Sequence, residues 1–276
     1  MHSVEAVSFP NRSGQKLFGT LHRPALTRPD VPVVVLLSPG VKMRVGPGRL
    51  YVPLTEMLNA LGYTVLRFDF FGLGDSEGEL LEASLVDVYN HIEVGRYVDD
   101  TLSALNWLRQ SQNSNRFILG GLCGGAITAL LAAERDASVE ALLSLGMTVT
   151  LASNAATPAK YLTMRKPKAP APAAAEGDAP LDQRGHANPL FPAAYFAFLQ
   201  RGGRALMLFS QKDRLYSEYR EKFAEPYAER LQAYLPQLEE HVVPNANHVL
   251  SLHEWQREMV EVSRRWLSTL HPSVTP

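Results

Sequence analysis

Apolar residues along the chain alternate between short continuous runs and helical stripes. The continuous run at 31–37 is typical of a strand buried on both faces, 64–68 predicts another buried strand, and shorter runs predict strands at 117–119, 141–145, 205–209 and 240–243. Apolar residues three to four positions apart predict helices over 51–61, 98–108 and 255–270, and small residues predict another over 124–134. Two early runs, 4–9 and 17–22, are joined by Asn-Arg-Ser-Gly and predict a hairpin.

Strands that alternate with helices predict an α/β fold, with a mostly parallel sheet covered by helices on both faces. Residues 1–146 and 201–276 are expected to form this core. The alternation of predicted strands and helices is interrupted over 147–200. The Pro/Ala-rich middle of this segment, about 166–180, has too few large apolar residues to pack a core. We interpret 147–200 as a small cap insertion with a flexible strap; a surface loop without a role is the alternative.

The composition of the chain bears on which partners and which cellular compartment are expected. The chain has 276 residues, of which 46% are hydrophobic, and its formal net charge is −1, so no overall field favours nucleic acid or an anionic membrane. The single cysteine excludes an internal disulfide framework and fits a reducing compartment. No signal-like h-region and no apolar stretch of about 20 residues is apparent, so a cytoplasmic protein without a membrane span is expected.

One glycine-rich turn carries the strongest chemical signal. The predicted strand at 117–119 leads through Gly120 into Gly121-Leu122-Cys123-Gly124-Gly125 and then into a helix, which is the order of a nucleophile elbow with cysteine at its centre. Glycines two positions either side of the centre avoid collisions with neighbouring backbone. The helix N-terminus behind the sulfur favours an anion. The alternative is a plain glycine-rich turn with an inert cysteine.

A second segment matches the serine form of the same motif. Gly74-Asp75-Ser76-Glu77-Gly78 has the letters Gly-x-Ser-x-Gly, but it lies early in the chain and no clear helix of small residues follows it. Its two acidic residues would also oppose an alkoxide on Ser76. We therefore predict that this segment is a structural loop.

The elbow and its surroundings resemble the α/β-hydrolase superfamily over nearly the whole chain. In that family the nucleophile is followed by an acid and then by a histidine. The resemblance implies Asp213, in the turn after the strand at 205–209, as the acid, with Glu218 as the fallback. It implies His248, between the last strand and the last helix, as the base; His241 would lie within a strand, and His253 would begin a helix. The other histidines are expected at the surface.

The same resemblance implies two backbone donors for an oxyanion hole. One is the N–H of Gly124, which follows the nucleophile, and the other is the N–H of Val41, in the loop after the strand at 31–37. This loop has Ser-Pro where the family has histidine. Arg44, Arg49 and Lys42 lie in or near it and are either solvated charges or contacts for an anionic substrate group.

Two stretches resemble a narrower group, the exosortase-system-associated hydrolases. They are 44–54 with 66–78, and 247–255. The superfamily resemblance implies an acyl hydrolase of the thioesterase, esterase or lactone type, acting on a small-molecule or carrier-bound acyl substrate through a thioester at Cys123. The alternatives are an acyltransferase or cyclising enzyme that uses the same residues, and a non-catalytic binding module.

No cofactor motif or metal-ligand cluster is apparent, so neither a cofactor nor a metal is expected.

Overall fold

The predicted strands and helices are present, with small shifts at their ends. A computed structural model describes residues 2–26, 28, 30–82, 84–151 and 186–272. The strands are β1 Ser3–Pro10, β2 Lys16–Arg23, β3 Val33–Leu37, β4 Val65–Phe68, β5 Phe117–Leu122, β6 Val139–Leu145, β7 Thr150–Leu151, β8 His186–Ala187, β9 Arg204–Ser210 and β10 Leu238–Val243. The helices are α1 Tyr51–Ala60, α2 Leu85–Glu93, α3 Val98–Gln112, α4 Gly124–Arg135, α5 Leu190–Gln200, α6 Arg214–Tyr219, α7 Ala228–Leu231 and α8 His253–Leu270. Single-turn 3-10 or π segments lie at Pro47–Arg49, Arg220–Ala224 and Gln232–Gln237.

Eight strands form one sheet in the order β1-β2-β4-β3-β5-β6-β9-β10. The hairpin of β1 and β2 is antiparallel, and β2 is antiparallel to β4, whereas every pair from β4 to β10 is parallel. This arrangement confirms the predicted α/β-hydrolase architecture. Its consequence for function is that the loops after β3, β5, β9 and β10 all leave the same edge of the sheet.

The sheet divides the apolar core into two layers. Residues of α3, α4 and α5 pack on one face, together with Leu66 and Phe68 of β4. Residues of α1 and α8 pack on the other face, together with Val65 of the same strand. Successive side chains of a strand point to opposite faces, so a strand covered on both sides has to be apolar throughout. The continuous apolar runs in the sequence therefore have this physical cause.

The predicted cap insertion falls largely on residues outside those that the structure describes. Its strap at about 166–180 is among them. The end of the region is described, and there α5 packs against α4 as one of the helices that cover the sheet. Its aromatic residues Phe191, Tyr195 and Phe196 are 1% exposed or less and pack around Phe223 of the core. These aromatic residues therefore belong to the helical layer that packs on the sheet.

Candidate active site

Cys123 lies on a strained turn between β5 and α4. Its backbone angles are φ 55° and ψ −116°, a conformation that residues with side chains rarely adopt. The turn is held by its own hydrogen bonds: the Cys123 N–H donates to Leu145 O at 2.9 Å, and the Ala126 N–H donates to Cys123 O at 2.9 Å. The side chain is half-buried. A partly exposed sulfur thus stands at the carboxyl edge of the sheet and at the start of a helix.

The glycines around Cys123 are required by close backbone approach. A Cβ on Gly121 would lie 2.6 Å from the carbonyl carbon of Gly125, and a Cβ on Gly125 would lie 2.5 Å from Leu37 O. A Cβ on Gly124 would lie 2.9 Å from Ile92 Cγ2. These distances are shorter than any side chain tolerates. The motif spacing therefore reflects the packing of α4 against β5 and the loop after β3.

The structure brings His248 and Asp213 to this turn from two other loops. Nδ1–H of His248 donates to Oδ2 of Asp213 at 2.6 Å. Asp213 caps α6, because its Oδ1 accepts from the Leu215 N–H at 3.2 Å. The two loops are joined by backbone hydrogen bonds, from Gln211 N to Val243 O and from Lys212 N to Ala246 O. The acid is 9% exposed and is fixed in place on its helix.

The protonation of His248 follows from its two partners. Its hydrogen bond to Asp213, and next its hydrogen bond to Cys123, raise the pKa of His248 from 6.5 to about 10, against the opposing effect of burial. The ring therefore carries its proton at neutral pH. Since Nδ1 is committed to Asp213, Nε2 remains for the sulfur.

The loop after β3 passes beside the first turn of α4. A Cβ on Gly124 would lie 3.1 Å from both N and Cα of Gly40, so the two backbones are in contact. Val41 follows Gly40 and is half-buried. The two sequence-predicted oxyanion donors, on Gly124 and Val41, thus lie on adjoining backbone segments. Their use as donors stays a prediction.

Two tyrosines at the site were missed by the sequence analysis. The buried hydroxyl of Tyr51 donates to Leu37 O at 2.9 Å and accepts from the Leu122 N–H at 2.7 Å, so it joins the last residue of β3 to the last residue of β5, which precedes Cys123. The ring of Tyr89 covers Gly40, where an added Cβ would lie 2.7 Å from Cε1. Burial and then the charge of Cys123 raise the pKa of Tyr89. A buried tyrosine needs a hydrogen-bond partner, and Tyr51 on the buried stripe of α1 was the available signal.

The structure separates the other candidate residues from this group. Ser76 is 8% exposed, and its Oγ donates to Asp69 O at 2.6 Å and accepts from the Phe18 N–H at 2.9 Å. The carboxylate of Glu218 accepts from Thr150 at 2.9 Å and pairs with Arg214 at 2.7 Å. Neither contacts His248 in the described residues. Arg44 is not a free cation, because it pairs with the buried Asp69 and with Asp75.

Three histidines that were expected at the surface are instead built into the fold. His22 is 9% exposed, and its Nε2 accepts from Nη2 of Arg67 at 2.9 Å. Burial, followed by the charge of Arg67, lowers the pKa of His22 to about 4. His91 pairs with Glu82 at 2.7 Å, and His271 pairs with Glu140 at 2.9 Å. The expectation failed because it considered only strand ends, whereas these rings serve as buried hydrogen-bond partners.

Neither a metal centre nor a membrane span is found in the described part of the chain. Within residues 2–26, 28, 30–82, 84–151 and 186–272, no group of three or more histidine, cysteine or acidic side chains could hold a metal ion. No helix within the same ranges has the length and apolar character required to cross a bilayer.

Comparison with solved structures shows the fold. An esterase from Pyrococcus furiosus, Pf2001, is similar with a TM-score of 0.63 and 18% identity, covering 97% of this chain and 91% of that one. An α/β serine hydrolase without lid from Xanthomonas campestris has a TM-score of 0.57 and 16% identity, covering 99% and 97%. A dienelactone hydrolase from Anabaena variabilis has a TM-score of 0.55 and 17% identity, covering 97% and 98%.

Comparison of sequences adds a relative and a family. The chain is 26% identical over 131 residues to the mitochondrial palmitoyl-protein thioesterase ABHD10 of Rattus norvegicus, which is 44% of this chain and 40% of that relative. The alignment therefore spans well under half of the relative. The model of the "Serine aminopeptidase, S33" family matches residues 29–188, more than half of the chain. The chain therefore belongs to the serine aminopeptidase S33 family and has the α/β-hydrolase fold.

Proposed function

We propose that this protein is an acyl hydrolase of the esterase or thioesterase type in which Cys123 is the nucleophile, His248 the acid–base group and Asp213 the orienting acid. One observation carries the proposal: the ring of His248 is hydrogen-bonded to Asp213 at 2.6 Å, and the pKa of His248 is raised first by Asp213 and next by Cys123. The family name and the thioesterase and esterase relatives support the reaction class. Cysteine instead of serine is the feature that sets this chain apart.

The first half-reaction forms a thioester on the enzyme. The thiolate of Cys123 attacks the carbonyl carbon of the substrate, and the carbonyl oxygen becomes an oxyanion that the N–H groups of Gly124 and Val41 stabilise. When the C–S bond to Cys123 is complete and the intermediate collapses, the bond from carbon to the leaving alkoxide or thiolate breaks. The proton on Nε2 of His248 passes to that leaving group.

The second half-reaction releases the acid. The now neutral His248 takes a proton from a water molecule, whose oxygen attacks the thioester carbon. The C–S bond to Cys123 then breaks, which restores the thiolate and the imidazolium and frees the carboxylic acid. Asp213 keeps the ring in the tautomer and orientation that both steps need.

Trapping the intermediate tests the proposal. We expect intact-protein mass spectrometry, after incubation with acyl thioester and ester libraries, to show an acyl adduct on Cys123 and free acid as the product. Turnover without any adduct in the wild type, or an unchanged adduct in Cys123→Ala, would overturn the assignment of the nucleophile. A non-catalytic binding module predicts neither adduct nor iodoacetamide labelling of Cys123 at pH 7.

An acyltransferase or cyclising enzyme would use the same residues and differ only in the acceptor. A thioester is attacked readily by amines and thiols, so the acceptor has to be tested directly. Product analysis with water alone and with added amines, alcohols and thiols separates the two functions. We expect free acid under all of these conditions; an amide, ester or thioester product would favour transfer.

A further inference from the structure

A groove lies between the start of α1 and the start of α8, on the side of the sheet that these two helices cover. Its volume is about 670 Å³. One wall is formed by residues 48–53 and the other by residues from Ser251 to Glu261. Its floor is apolar, with Val52, Pro53 and Val260, and it is open to solvent. This volume is in the range of sites for drug-sized ligands.

The walls of the groove lead to the two loops that carry candidate site residues. Gly48 follows the loop that carries Val41, and a Cβ on Gly48 would lie 3.6 Å from Nε2 of Gln256 on the opposite wall. Gln256 in turn donates to Leu250 O at 3.0 Å, two residues beyond His248. The groove is therefore connected by its walls to the loop of Val41 and to the loop of His248, and none of the residues that line it belongs to the candidate triad.

Two arginines give the groove a positive charge. Arg49 and Arg257 are exposed on opposite walls, and neither forms a salt bridge with any residue that the structure describes. The acid in the groove, Glu261, is 3.7 Å from Arg264. His253 at the first turn of α8 is a further donor, and no side chain caps the N-terminus of that helix.

The buried guanidinium of Arg67 adds to the positive electrostatic potential around Arg49. Arg67 is 6% exposed, and its Nε and Nη1 have no hydrogen-bond partner among the described atoms. Burial first, and then the charges of Arg44 and Arg49, lower the pKa of Arg67 to about 10. The charge of Arg44 is balanced by Asp69 and Asp75. Arg49 therefore has a cation as a neighbour and lacks a salt-bridge partner in the described part of the chain.

We propose that this groove binds the nucleotide end of a coenzyme A thioester, so that the acyl group reaches Cys123. The apolar floor suits the face of a purine ring, and the arginines on the two walls suit more than one phosphate group. A carrier-protein arm has one phosphate and no purine ring, so it offers fewer groups that match the apolar and cationic lining of the groove. The inference rests on the proposed function, because it names the leaving group of that reaction.

Binding is measured apart from turnover, by isothermal titration calorimetry of Cys123→Ala with coenzyme A, 4′-phosphopantetheine and pantetheine. We expect coenzyme A to bind at least about tenfold more tightly than pantetheine, and Arg49→Gln or Arg257→Gln to remove most of that difference. Arg204→Gln is the matched control, since Arg204 is exposed at the start of β9, on the opposite edge of the sheet. In this control the preference for coenzyme A should persist.

Two outcomes would overturn the inference. Equal affinity for coenzyme A and pantetheine would exclude recognition of the phosphates, and equal affinity for coenzyme A and 4′-phosphopantetheine would exclude recognition of the nucleotide. Failure of the proposed function is distinguishable, because it would abolish hydrolysis of neutral esters by the wild-type protein and leave coenzyme A binding in place. Loss of coenzyme A binding with intact ester hydrolysis would refute the groove alone.

Discussion

Two turns in this protein have the same spacing of glycines but differ in whether the central side chain is accessible for reaction. Gly121–Gly125 presents Cys123 between a buried strand and a helix, half-exposed and near enough to His248 to help raise the pKa of that ring. Gly74–Gly78 places Ser76 in a loop, 8% exposed, with its hydroxyl used by Asp69 O and the Phe18 N–H. A reactive side chain needs an unoccupied face and a base, and only the first turn provides both. Whether the central side chain can react therefore depends on the strand and helix on either side of the turn, and not on the residue types of the motif alone.

The largest effect is expected from Cys123→Ala, which removes the nucleophile and leaves the turn. Alanine has the Cβ that the turn already tolerates, so the free energy of unfolding should change little. Turnover should fall on the order of 10⁶-fold, as when a nucleophile is removed from a working triad. Steady-state kinetics and thermal unfolding are the measurements; activity within tenfold of the wild type would place the chemistry elsewhere.

Asp213→Asn tests the group that orients His248. Loss of the carboxylate removes the main cause of the raised pKa of His248, which should fall from about 10 towards 6.5. We expect turnover to fall about a thousandfold, and the loss to grow from pH 6 to pH 9 as the variant ring loses its proton. NMR titration of His248 checks the pKa, and an unchanged pH profile would contradict the prediction.

The same proton links stability to pH. Because the pKa of His248 is raised on folding, its contribution to stability is fully present below about pH 6.5 and is lost as the pH rises through about 10. The difference in melting temperature between the wild type and Asp213→Asn should therefore shrink over this window.

Cys123→Ser gives the turn at Gly121–Gly125 the same Gly-x-Ser-x-Gly motif as the turn at Gly74–Gly78. The hydroxyl would stand where the sulfur stands, but a serine needs a neutral histidine to take its proton. The hydrogen bond to Asp213 still raises the pKa of His248 in this variant, whereas the contribution of Cys123 is lost, so only a fraction of the rings is neutral at pH 7. Activity should fall roughly a hundredfold at pH 7 and recover partly as the pH rises towards 9. Kinetics across pH measure this; a fully active serine variant would show that the imidazolium is not required.

Tyr51→Phe tests the positioning of the elbow. Removal of the hydroxyl leaves Leu37 O and the Leu122 N–H without their buried partner, which costs about 1–3 kcal/mol of stability. Turnover should fall about tenfold through misplacement of Cys123. Tyr63→Phe is the matched control, because it also loses a hydrogen bond of a buried tyrosine, to His271 at 3.0 Å, away from the turn. Equal turnover in the two variants would make Tyr51 merely structural.

The smallest effect on activity is expected from Ser76→Ala. The change removes two hydrogen bonds inside the loop, so stability should fall by about 1–2 kcal/mol. Turnover of the folded protein should stay within about twofold of the wild type, measured after correction for the folded fraction by urea titration. A loss above about a hundredfold would make Ser76 the reactive side chain and reverse the comparison.

Much of the fold was predictable because its strands are buried on both faces. Continuous apolar runs identified β3, β4 and β9, and helical spacing identified α1, α3 and α8. Helix α2 was not predicted, since Leu85 and Val86 are 62% and 47% exposed and break its apolar stripe. This helix supplies Tyr89 and Ile92 to the site, so the miss has a functional consequence.

The chain by itself determined where strands and helices begin and end, and which residue stands on the glycine-rich turn, because periodicity and backbone sterics act over a few positions. Tertiary structure alone decided that His248 comes close to Cys123, 125 positions away along the chain, and that Tyr51 joins the ends of β3 and β5. It also decided that Arg44 pairs with Asp69, whereas Arg49 has no salt bridge to any residue that the structure describes. The physical reason is that hydrogen bonds and ion pairs of this kind depend on which strand edges and loops the sheet order brings together, and no local pattern encodes that order.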